Sequence, residues 1–177
     1  MKWGIWIWIL AAISGLIFHG KQCQLADYYR NIHLFFIKGK SGSELDNFVK
    51  LREELKTLSW KEDGMWMVFL YFYGNYTHSQ EKMTPAFQSL RKRLWQVYGD
   101  NPVPAELAET FRKGSLPLMK YANILTFNTR AIVLYIVLLI GQPWIYFVFE
   151  IVVMNILFLY MRYKHEKLCK TVEASLS

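Results

Sequence analysis

The chain has 177 residues, 53% of them hydrophobic, yet it carries 21 Lys and Arg against 14 Asp and Glu. Apolar and charged residues must therefore lie in separate blocks, which excludes a uniformly water-soluble domain and points to membrane segments joined by a soluble part. The two cysteines, Cys23 and Cys169, stand at opposite ends with no CxxC pair, which excludes a disulfide framework or a zinc cluster of cysteines.

In chain order, the first element is the uncharged run Trp3 to Phe18. It gives about 24 Å of helix and reaches a bilayer's thickness by extending to Gly20. A cleaved signal peptide is the alternative, since Lys2, an apolar core and the small residues from Ala11 to Gly15 fit that pattern. From Leu25 to Ile37 the apolar residues Leu25, Tyr28, Tyr29, Ile32 and Phe36 recur at helical spacing, an amphipathic continuation of the first segment. A second stripe follows at Leu45, Phe48, Leu51, Leu55 and Leu58. The run Met65 to Tyr73 (MWMVFLYFY) is too short to cross and is expected either buried in protein or at the membrane interface. A further stripe, Phe87, Leu90, Leu94 and Tyr98, has Arg91, Lys92 and Arg93 on its polar side. Pro104 is placed to start a helix that Gly114 would end.

The last blocks form a hydrophobic hairpin. Tyr121 to Ile140 reads as one helix, Gly141-Gln142-Pro143-Trp144 as a turn, and Ile145 to Met161 as the returning helix. The returning helix has 11 Ile, Leu, Val and Phe residues, which favour insertion by about 5 kcal/mol against about 3 kcal/mol for the central carboxylate Glu150. The expected fold is thus all-α: an integral membrane protein of about three transmembrane helices plus amphipathic cytoplasmic helices. The expected divisions are a span at 1–20, a basic amphipathic-helical region at 21–120, the hairpin at 121–163 and a basic tail at 164–177.

Charge sets the expected orientation. Residues 21–120 hold 15 basic and 11 acidic side chains, the segment from Arg162 onward holds four and two, and the hairpin turn holds none. The excess of Lys and Arg places both basic regions in the cytoplasm and the N-terminus outside, as expected for a multi-pass protein of an inner (plasma) membrane. The signal-peptide alternative would put both basic regions outside. The Asn75-Tyr76-Thr77 sequon is then cytoplasmic and unglycosylated.

Candidate functional residues fall in two groups. Arg130 and Glu150 each stand inside an apolar block, where an unpaired charge is costly; counted from the turn they lie roughly 16 and 10 Å deep, close enough to pair or to line a shared polar cavity. Lys38, Lys40, Arg91, Lys92 and Arg93 lie beside aromatics, a composition suited to anionic lipid headgroups. The partner expected on these grounds is membrane lipid. No nucleic acid is expected, because no nucleic-acid-binding motif accompanies the charge. Gly39-Lys40-Ser41 is not a P-loop, since Leu34 stands where that motif needs glycine, and the four histidines show no metal-ligand spacing.

The segments KQCQLADYYRNIHLFFIKGKSGSELDN and LTFNTRAIVLYIVLLIGQPWIYFVFE resemble the C-terminal part of bacterial CDP-alcohol phosphatidyltransferase family proteins. The resemblance implies phospholipid synthesis, the transfer of a phosphatidyl or substituted phosphate group from a CDP-alcohol to an alcohol. A complete member has six spanning helices. Its carboxylates, in DxxDGxxAR and GxxxDxxxD, hold Mg²⁺ or Mn²⁺, and its last aspartate acts as base. Here Gly42 to Asp46 matches GxxxD, but Lys50 replaces the next aspartate and DxxDGxxAR is absent. No catalytic or metal-binding residue and no cofactor is therefore assigned to this chain. The resemblance implies a truncated or split form, inactive alone, whose partner would be a catalytic N-terminal half or a second copy in a homodimer.

Overall fold

The computed structural model describes residues 4–39 and 42–176, and among these the chain is all-α, 87% helical without strands. Seven helices are formed among the described residues: α1 (Gly4–Lys38), α2 (Phe48–Thr57), α3 (Trp60–Met83), α4 (Pro85–Tyr98), α5 (Ala105–Ile124), α6 (Phe127–Leu139) and α7 (Trp144–Ala174). Among these residues three stretches are long and apolar enough to cross a membrane: α1, α5 with α6, and α7.

Pairings along their length fix the topology. His33 meets Ser115 and Cys23 meets the Leu125 carbonyl, so α5 and α6 run antiparallel to α1. His19 meets Glu150 and Tyr29 stacks on His165, so α7 runs parallel to α1. The N-terminal end of α1 and the turn between α6 and α7 therefore share one end of the molecule. Gly141, at φ +74°, makes that turn, a conformation a side chain would oppose.

Around that end the helices present apolar side chains outward: Trp6, Trp8 and Leu16 on α1, Tyr135 and Leu139 on α6, and Val152 and Ile156 on α7 are all exposed. In the other half α1, α5 and α7 continue as a bundle closed by α4. The stripe Leu25, Tyr28, Tyr29, Ile32 and Phe36 is buried there with Phe87, Leu90, Leu94 and Phe111. Phe36 stacks on Phe111 with ring centroids 3.8 Å apart.

The helical continuation expected after the first segment is formed, since α1 runs on past residue 20 to Lys38. Gly114 differs from expectation, because α5 continues through it and through Pro117 to Ile124. A Cβ at Gly114 would clash with Leu168 Cδ1, so the glycine serves the close approach of α5 and α7 rather than a helix end. The helix expected from Tyr121 to Ile140 is interrupted, with Leu125 closing α5 and Thr126 extended before α6.

Helices α2 and α3 form a separate hairpin. The Asn47 side chain caps α2 by accepting from the Val49 and Lys50 amides. Tyr73 of α3 donates to Asp46 at 2.6 Å, and burial with this carboxylate pushes its phenol above the usual range.

Candidate intramembrane polar site

All three spanning stretches depart from α-helical geometry around the Arg130–Glu150 pair. In α1 the segment Ile13–His19 is a π-helical turn, in α7 so is Phe149–Val153, and between α5 and α6 the chain breaks at Leu125 and Thr126. Such departures free backbone groups, and at membrane depth those groups need partners within the protein. The polar side chains of all three stretches converge there.

Arg130 and Glu150 meet at the centre, each with its side chain 2% exposed. Arg130 Nε donates to Glu150 Oε1 at 2.5 Å. One terminal guanidinium nitrogen donates to the carbonyls of Leu125 and Thr126, and the other to Gln22 Oε1. The planar fork of donors thus closes the break in the second stretch while its charge is balanced by Glu150.

Glu150 is held from α1 as well. Ser14 Oγ donates to Oε2 at 3.0 Å, and His19 Nδ1 donates to Oε1 at 2.8 Å. Gln22 Nε2 donates to the Glu150 carbonyl at 3.3 Å and to Asn155 Oδ1 at 3.0 Å, while Asn155 Nδ2 donates to the Ile151 carbonyl. Cys23 lies beside Arg130, its Sγ 3.6 Å from the Leu125 carbonyl. Ser14, Gln22, Arg130 and Glu150 are buried, whereas the His19 side chain is 38% exposed. His19 is thus where the network reaches the surface of the span.

Ser14, His19, Gln22 and Asn155 escape sequence reasoning for a geometric reason. On a regular α-helix Ser14 and His19 point about 140° apart. A π turn instead places residues five apart above one another, so both reach Glu150. Glu150 and Asn155 have the same separation across the second π turn, and Gln22 bonds to both.

The basic residues named for lipid contact have different surroundings. Lys38 is exposed at the end of α1, ten residues or about 15 Å of helix beyond Tyr28. Lys40 lies outside the described residues. Arg91 is occupied within the fold, donating to the Leu45 and Asp46 carbonyls and lying 4.0 Å from Glu81. Lys92 and Arg93 are exposed on α4.

A different cluster sits where the spans enter the bundle. Lys120 Nζ is 4.9 Å from the Tyr121 ring centroid, Lys164 Nζ is 5.7 Å from that of Tyr160, and the two tyrosine rings meet edge-on at 5.2 Å. Lys21 is exposed about 10 Å higher along α1.

Among the described residues no three His, Cys, Asp or Glu side chains are grouped to hold a metal ion. No protein-family model, curated protein or solved structure matches the chain.

Proposed function

We propose that the chain is a membrane-anchored scaffold that grips anionic lipid headgroups where its three spans leave the bilayer. The observation that carries this reading is the band of basic and aromatic side chains at that level: Lys120 and Tyr121 on α5, and Tyr160 and Lys164 on α7, with Lys21 above them. Tyrosine rings favour the headgroup zone, and each lysine near an anionic surface contributes about 1 kcal/mol. The polar site serves this role as a lock. It joins the three spans inside the bilayer, so that Lys120, Tyr121, Tyr160 and Lys164 are held at one height.

Under the same reading the basic bundle lies in the cytoplasm and the N-terminus outside, following the distribution of Lys and Arg. The test is thermal unfolding of the full-length chain in nanodiscs of neutral lipid and of neutral lipid mixed with anionic lipid. Anionic lipid raises the unfolding temperature, the gain shrinks as salt is added, and Lys120→Gln with Lys164→Gln removes most of it. Equal unfolding temperatures in both lipids overturn the proposal. So does release of CMP from CDP-diacylglycerol by the purified chain with Mg²⁺ or Mn²⁺, which would favour transferase chemistry instead.

A further inference from the structure

The hairpin of α2 and α3 is sided in a way that the bundle does not explain. On α3 the buried residues Leu70, Gly74, Thr77 and Gln80 lie along one side. Toward α2, Trp66 donates to Glu54, Arg52 donates to Asn75, and Phe48 packs on His78, with Trp66 still half exposed. The opposite face carries Met65, Phe69, Phe72 and Tyr76 at helical spacing, and all four are exposed, Met65 at 85% and Phe72 at 66%. Trp60 is bare at the start of the same helix.

The end of that bare face has a fixed position. The Tyr76 carbonyl accepts from Gln24 Nε2 at 2.7 Å, Ser79 Oγ donates to Gln24 Oε1, and Gln80 Nε2 donates to the Gln24 carbonyl. Gln24 is three residues past Lys21, the first charge after the uncharged length of α1. The α3 face that meets the first span at its membrane boundary therefore continues, two turns earlier, as uncovered Met65, Phe69 and Phe72. The exposed apolar residues Leu16 and Ile17 lie just above that boundary on α1. The apolar run is too short to cross, and Lys61, Glu62 and Asp63 before it, with Glu81 and Lys82 after it, keep both ends of α3 at the water side.

We propose that α3 is a fourth membrane element, lying in the interfacial plane with Met65, Phe69 and Phe72 immersed in the acyl boundary and α2 facing water. Continuity with the lipid-facing side of α1 identifies the occupant as lipid, and an interfacial helix buries such a face by about 5–10 Å. This rests only on the chain lying in a bilayer, and needs no anionic lipid.

The experiment places a nitroxide at Met65→Cys, and separately at Phe72→Cys, in the full-length chain carrying Cys23→Ser and Cys169→Ala, reconstituted in neutral lipid. A label at Lys56→Cys on α2 is the water-side reference. Collision with oxygen, which concentrates in lipid, is compared with collision by a water-soluble nickel chelate. The ratio of oxygen to nickel collisions at positions 65 and 72 is expected to exceed that at position 56 several-fold. A ratio equal to that at position 56 means the face meets water and overturns the proposal. Labels at 65 and 72 that neither reagent reaches mean that protein covers the face, a second copy or another chain, and also overturn it. Met65 is 85% exposed, so its replacement disturbs little packing and the readout survives if Phe72→Cys fails to fold. Neutral lipid keeps this result separate from any failure of the headgroup proposal.

Discussion

The two halves of the molecule solve opposite problems with the same three long stretches of helix. In the half around Glu150 the interior is polar and the exterior apolar. In the half around Ile32 the interior is mainly apolar, with His33, Ser115 and His165 buried within it, and the exterior carries the charges. Apolar burial has little to offer between helices already surrounded by lipid, so cohesion there falls to hydrogen bonds, ion pairing and close packing. In the bundle the removal of apolar surface from water does that work. Each stretch changes character within a few residues of Lys21, Lys120 and Arg162.

Removing one partner of the central pair tests this contrast most severely. Arg130→Ala or Glu150→Ala leaves a buried charge without its counterion and is expected to cost about 3–5 kcal/mol. Thermal unfolding in lipid nanodiscs measures it, and an unchanged unfolding temperature in both variants would remove the pair from its central role. The double variant Arg130→Met with Glu150→Leu should lose clearly less than the two singles added together.

Much of this was legible in the sequence, and its limits are physical. Arg130 and Glu150 stand out because a charge amid apolar residues is rare and costly. The neutral polar residues that complete the network do not stand out, because their alignment depends on two π turns that no 3.6-residue pattern contains. Gly114 has the composition of a helix end, yet its reason is the Leu168 side chain more than 50 residues away. The run from Met65 to Tyr73 reads equally as core or as interface, since composition cannot say which face a neighbour covers. The structure places α2 on one face and leaves the other bare.

In the bundle, Ile32→Ala removes a fully buried side chain and is expected to cost about 2–5 kcal/mol through lost burial and the cavity left behind. Comparing detergent with lipid sharpens the contrast. This loss should be similar in both, because water surrounds the bundle either way, and a loss that vanished in lipid would place Ile32 in the membrane half. A smaller effect is expected at the seam between α5 and α7. Gly114→Val forces a side chain against Leu168 at about 1–3 kcal/mol, read as a lower unfolding temperature. An unchanged temperature would show that the two helices can part there without penalty.

The paired π turns have a consequence for phase. Each accommodates one residue beyond a regular helix, so the inner and outer ends of α1 are offset by about 100° from where an uninterrupted helix would set them, and α7 carries a matching offset. A one-residue deletion within either turn would therefore swing that helix's membrane half out of alignment with its bundle half.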